Sequence, residues 1–87
     1  MSTFNLTVST PDGNKFNGEV SRLFVRGSEG DLAVMAGHIP FATPVIECEV
    51  RIDLPDGTTL SAPTKSGILT VGEKDVVLLT SGIEDLK

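Results

Sequence analysis

The 87-residue chain has no tryptophan, no tyrosine, one histidine and one cysteine. With only four phenylalanines, a core has to be assembled from Val, Ile and Leu. The single thiol, Cys48, excludes an internal disulfide, and its place among apolar residues reads as a small buried hydrophobe. No basic-then-apolar leader and no apolar run of membrane-spanning length are present, so the expectation is a soluble, cytosolic domain. Cations are scarce: seven Lys and Arg face 12 Asp and Glu, a net charge of −5. That balance argues against nucleic acid as a partner, because phosphate backbones are held by clustered Lys and Arg that release counterions. Stretches free of both Gly and Pro are missing too, none exceeding 10 residues. A typical helix needs ~11–12 residues, so the chain reads as nearly all β.

The same poverty bears on chemistry. Nucleophilic catalysis needs a base held against an orienting partner, and the one histidine, His38, stands ten positions from the one cysteine. No Gly-x-Ser-x-Gly elbow is present; Ser28 lies in Gly-Ser-Glu-Gly, one residue short of it. Zinc-ligand spacing, a calcium loop, a phosphate-binding loop and a dinucleotide fingerprint are all absent, so neither a metal nor another cofactor is expected.

What is present is punctuation at regular intervals. Ile46, Cys48, Val50 and Ile52 alternate with Glu47, Glu49, Arg51 and Asp53, which predicts a strand with one buried and one solvated face. Pro55-Asp56-Gly57-Thr58 then predicts a tight type I′ hairpin into Thr58–Ala62. Pro11-Asp12-Gly13-Asn14 predicts a second hairpin, joining Phe4–Val8 to Phe16–Val25, with a bulge near Ser21-Arg22 where alternation breaks. Gly72-Glu73-Lys74-Asp75 predicts a third, between Ile68–Val71 and Val76–Thr80. Short strands at this spacing predict one all-β domain over residues 1–87, a two-sheet antiparallel β-sandwich or flattened barrel.

The densest stretch runs from Gly27 to Pro40, a glycine-cornered unit around one short strand at Leu32–Val34. Its Gly-Ser-Glu-Gly-Asp-Leu and Ala-Gly-His-Ile-Pro segments, with Thr10-Pro11-Asp12-Gly13, Phe16-Asn17-Gly18-Glu19-Val20, Ser66–Val71 and Val76–Leu79, closely resemble the N-terminal domain of the epsilon subunit of F-type ATP synthases (delta in mitochondria). The resemblance covers essentially the whole chain. It implies a non-catalytic rotor subunit of the central stalk in a proton-translocating complex at the cytoplasmic face of the plasma membrane. Its implied partners are the gamma subunit and the membrane c-ring. It also implies a c-ring side at Glu29, Gly30 and Asp31, and a gamma side at Thr10, His38 and Thr43. The chain departs from the family in lacking the helical hairpin after the sandwich, so no ATP binding is expected, and in having Ala36 where a proline usually precedes Gly-His.

Residue chemistry alone gives plainer readings of the same positions. Glu29 and Asp31 are a solvated acidic turn, His38 a turn residue whose ring caps a carbonyl, and Thr10 and Thr43 turn hydroxyls. Ile39 and Phe41 are either core or an exposed docking patch. Two further function classes stand beside the rotor reading. One is a free-standing β-sandwich adaptor for another protein. The other is a small enzyme, which would need His38 beside a carboxylate in a concave pocket.

Overall fold

The computed structural model describes residues 2–87 and contains nine strands among them. They are β1 (Phe4–Thr10), β2 (Gly13–Val20), β3 (Arg22–Gly27), β4 (Gly30–Met35), β5 (Phe41–Val45), β6 (Cys48–Asp53), β7 (Thr59–Thr64), β8 (Gly67–Val71) and β9 (Asp75–Thr80). Hydrogen bonding links them in the order β2-β1-β9-β8-β5-β3-β6-β7, with β4 paired to the other side of β3. The link between β5 and β3 is one residue pair, Gly27 with Val45. The sheet turns a corner there, and its two halves close over one core as the expected sandwich. One half is β2-β1-β9-β8-β5 and the other is β4-β3-β6-β7.

Alternation decides what goes inside. Leu6, Val8, Val20, Leu23, Val50, Ile52, Leu69 and Leu78 are fully buried and form one cluster drawn from both halves. No aromatic ring larger than Phe is needed, since branched aliphatic side chains pack well on a pleated surface. Most neighbours are antiparallel, but β1 and β9 run parallel, Leu6 opposite Val76 and Val8 opposite Leu78.

Several local expectations change. Phe16–Val25 is two strands, not one: at Ser21 the chain leaves β1 and joins β4 and β6, and the Ser21 N–H and hydroxyl both donate to the Asp53 carbonyl. The lost alternation there marks a change of partner rather than a bulge. The register shift of the first hairpin falls instead between Val8 and Ser9, opposite Lys15. The β6–β7 turn is not type I′, which would require positive φ at Asp56. Only Gly57 has it, at +93°, while Gly57 N–H donates to Leu54 O at 3.0 Å and Leu54 N–H to Thr58 O at 2.7 Å. This is a type I turn with a glycine bulge, which suits the fixed φ of Pro55.

Strand β6 begins at Cys48, so Ile46 lies before it and is 42% exposed. Cys48 itself is only half-buried, its Sγ accepting the Arg26 N–H at 3.4 Å. Asp53, expected on the solvated face, is buried. Arg22 and Arg51 lie on either side of its carboxylate at 3.3 and 3.2 Å, and the Thr59 hydroxyl donates to it at 3.1 Å. A buried charge persists when paired and hydrogen-bonded in this way.

Candidate functional site

The Glu29 hairpin is built by β3 and β4, whose register closes on Gly27 opposite Gly30 and leaves Ser28-Glu29 as a two-residue tip. Gly30 takes φ +127°, a conformation L side chains rarely adopt. The same register sets Arg26 opposite Asp31, and the guanidinium Nε donates to the Asp31 carboxylate at 2.7 Å. That hydrogen bond, reinforced by the Arg26 charge, holds the Asp31 carboxyl below its ordinary value and raises the Arg26 guanidinium above its own. Glu29 is exposed at the tip and makes no ion pair among the described residues. Of the two carboxylates of this loop, Glu29 is the one free to meet a cation from outside.

His38 stands on the turn between β4 and β5. Its N–H donates to Met35 O at 3.3 Å and Gly37 has φ +84°, so Met35–His38 is a turn with glycine at the position where type II geometry demands positive φ. Ala36 takes the position that favours proline. The imidazole is exposed, with Nδ1 3.1 Å from Ile39 O and the ring tilted 50° on Phe41 at a centroid distance of 5.0 Å. Ile39 is 79% exposed, whereas Phe41 packs partly against the core, so the two residues after the histidine take different roles.

Thr10 closes the β1–β2 hairpin. Its hydroxyl accepts the Asp12 N–H at 3.1 Å and sits 3.3 Å from Gly13 O. Thr43 is half-buried on β5, on the side shared by Phe41 and Val45 rather than that of Ala42 and Pro44.

Register fixes how these residues lie relative to one another. Ser9, Leu79, Ile68 and Pro44 form one row across β1, β9, β8 and β5, and the next residue of β5, Val45, meets Gly27. Thr10 therefore belongs to the end of the sandwich that carries the Glu29 tip. His38 belongs to the opposite end, beyond the row Leu6, Val76, Val71 and Phe41. The structure brings Glu29, Gly30 and Asp31 together on one tip, and separates Thr10 from His38 by the length of a strand.

The two outer faces differ in kind. On the β2-β1-β9-β8-β5 half, Thr7, Ser9, Val77, Leu79, Ile68, Thr70, Ala42 and Pro44 make a charge-free patch, bounded at the Asn5 row by the exposed Glu19 and Asp75. Its centre is the register pair Ile68 and Leu79, 52% and 53% exposed. A shallow hollow of about 470 Å³ beside it is lined by Ser9, Thr10, Pro11, Ile68 and Leu79. The β4-β3-β6-β7 half is the reverse. It carries all three arginines, with Arg26 on Asp31, Arg22 and Arg51 on Asp53, and the Arg51 guanidinium 4.8 Å from the Phe24 ring centroid.

Sequence reasoning named the tip but missed both the arginine that neutralises half of it and the uncharged patch. Each had a signal: a Gly-x-x-Gly hairpin places residues 26 and 31 opposite each other, and the stretch from Ser66 to Gly72 is free of charge.

Fold and surface together define a β-sandwich domain with two unlike outer faces and an acidic hairpin at one end. The chain belongs to the ATP synthase delta/epsilon chain family: the model of its β-sandwich domain matches residues 3–85. The ATP synthase epsilon chain of Clostridium perfringens is 31% identical over 84 residues, covering 97% of this chain and 63% of that one. That of Ruminococcus albus is 34% identical over 85 residues, with 97% and 63% covered. A sodium ion specific ATP synthase epsilon chain of Acetobacterium woodii is 32% identical over 82 residues, with 94% and 62% covered. The chain thus spans somewhat under two thirds of these relatives. In solved structures the fold recurs in the Euglena gracilis mitochondrial ATP synthase, with TM-score 0.91 and 19% identity over 97% of this chain and 54% of that one. It recurs again in the central stalk and c-ring structure of the Tetrahymena thermophila enzyme, with TM-score 0.78 and 12% identity over 97% and 67%.

Proposed function

We propose that this domain is a non-catalytic element of the central stalk in a proton-translocating F-type ATP synthase, at the cytoplasmic face of the plasma membrane. It binds the gamma subunit through one face and the c-ring through the Glu29 hairpin, and so passes ring rotation to the catalytic head. The observation that carries this reading is the uncharged patch centred on Ile68 and Leu79 on the outer face of the β2-β1-β9-β8-β5 half. A charge-free patch on an acidic chain, with Glu19 and Asp75 confined to its far margin, suits a permanent protein interface, because no charge has to be desolvated at its centre. The Thr10 hollow continues that patch, and the relatives' shared name supplies the complex. The tip supports the second contact: Glu29 is exposed, makes no ion pair among the described residues and is mounted on a tightly closed hairpin, suited to basic side chains on the ring's polar loops.

The test is co-purification with the gamma subunit of the same genome, read as the mass of the eluted species. A one-to-one complex is expected for the native chain, Leu79→Arg should weaken it at least about tenfold, and Glu29→Lys should leave it intact. No complex at micromolar concentrations of folded protein would overturn the reading and put the adaptor in its place.

A further inference from the structure

We propose that residues 83–87 are a displaceable strap over the free edge of β7, and that the edge beneath it pairs with the same edge of a second copy of the chain. After β9 the chain turns back along β7. Ile83 bridges Thr64, Glu84 N–H donates to Pro63 O at 3.1 Å, Lys87 N–H to Ser61 O at 3.2 Å, and Ser61 N–H to Lys87 O at 3.0 Å. Backbone groups of alternate residues point to opposite sides of a strand. Thr59, Ser61 and Pro63 therefore face outward, while Leu60, Ala62 and Thr64 face β6. Pro63 has no N–H to offer on the open side, the placement expected of proline on an edge strand. The strap takes both groups of Ser61 and the carbonyl of Pro63. It covers the edge with the chain's own backbone, a known way of blocking edge-to-edge association.

The strap is lightly held. Ile83 and Leu86 are half-buried against the core, while Glu84, Asp85 and Lys87 are exposed. A mostly apolar crevice of about 260 Å³ runs beside it, lined by Glu47, Pro63, Thr64, Lys65, Ile83 and Glu84. By contrast, β7 holds β6 through six register pairs. The occupant of the bared edge follows from the edge itself. Two copies related by a two-fold axis through Ser61 exchange the Ser61 N–H···O bonds reciprocally, and each Thr59 N–H reaches the Pro63 carbonyl of the other copy. The intramolecular strap wins while it is seated, because tethering gives it an effective concentration of order millimolar. Weakening the strap reverses that advantage.

Two measurements on the full chain test this. In the native chain, amide exchange should be at least about tenfold faster for Ser61, which is bonded to the strap, than for Ala62, which faces β6. Equal protection would overturn the proposal, because the strap would then not open apart from the sheet. In the Ile83→Asp, Leu86→Asp double variant, light-scattering mass should rise to a dimer with increasing concentration, and adding Ser61→Pro should restore the monomer. A folded double variant that remains monomeric with an unprotected Ser61 amide would overturn it equally.

Discussion

At the scale of single residues, the Asp31 carboxylate is engaged before any partner arrives. Arg26 donates to it from the facing strand and lowers its pKa. Because its folded pKa is depressed, this group adds stability that is present above its ordinary value near 3.8 and is lost as pH falls through the lowered folded value. Both side chains are exposed, so the contribution is small. Titrating the Asp31 carboxyl carbon by NMR should give a midpoint below 3.8, and Arg26→Gln should bring it back to that value. Inside the sandwich the magnitudes are larger. Leu69 is fully buried between β5 and β9, and Leu69→Ala should cost about 2–5 kcal/mol in urea melts through lost transfer energy and the cavity left behind. Alternation alone placed Val50 and Ile52 on a buried face, and both are fully buried. Asp53 was not legible in the same way, because period 2 assigns a side to each residue but does not reveal that Arg22 arrives from another strand to share a buried carboxylate.

At the scale of elements, turn chemistry carried much of the fold but not its detail. Asp12-Gly13, Asp56-Gly57 and Gly72–Asp75 marked hairpins correctly, whereas the β3–β4 hairpin was legible only as a glycine corner. The turn type escaped because it depends on which residue takes positive φ: in the first two hairpins it is the glycine alone, and in the Gly72–Asp75 turn no residue has it. Gly57→Ala, at φ +93°, should therefore lower stability by about 1 kcal/mol. Ala36 offers the opposite case. It sits at the turn position that favours proline, and its N–H makes none of the main-chain turn bonds. Ala36→Pro should raise stability by about 0.4–1 kcal/mol, read as a higher denaturation midpoint, by restricting the unfolded chain. A fall in stability would mean that the turn departs from type II. The parallel pairing of β1 with β9 had no local signal at all: it joins segments about 70 residues apart, and only packing of the closed core selects it.

At the scale of the whole molecule, charge is sorted by surface. All three arginines lie on the outer face of the β4-β3-β6-β7 half, the patch centred on Ile68 and Leu79 has no charge, with Glu19 and Asp75 at its margin, and Glu29, which makes no ion pair among the described residues, stands at the tip of the β3–β4 loop. This sorting makes the two proposed contacts separable by ionic strength. Screening shortens the reach of exposed charges from ~10 Å at 0.1 M salt to ~3 Å at 1 M, whereas burial of Ile68 and Leu79 against a partner is not screened. Affinity for the gamma subunit should therefore change less than about threefold between 0.05 and 0.5 M salt, while attachment to isolated c-ring should weaken by about tenfold or more over the same range. Glu29→Gln should abolish the second dependence and leave the first unchanged. If gamma binding proves the salt-sensitive one, its docking face is the arginine-bearing half of the sandwich, and Leu79→Arg will leave it intact.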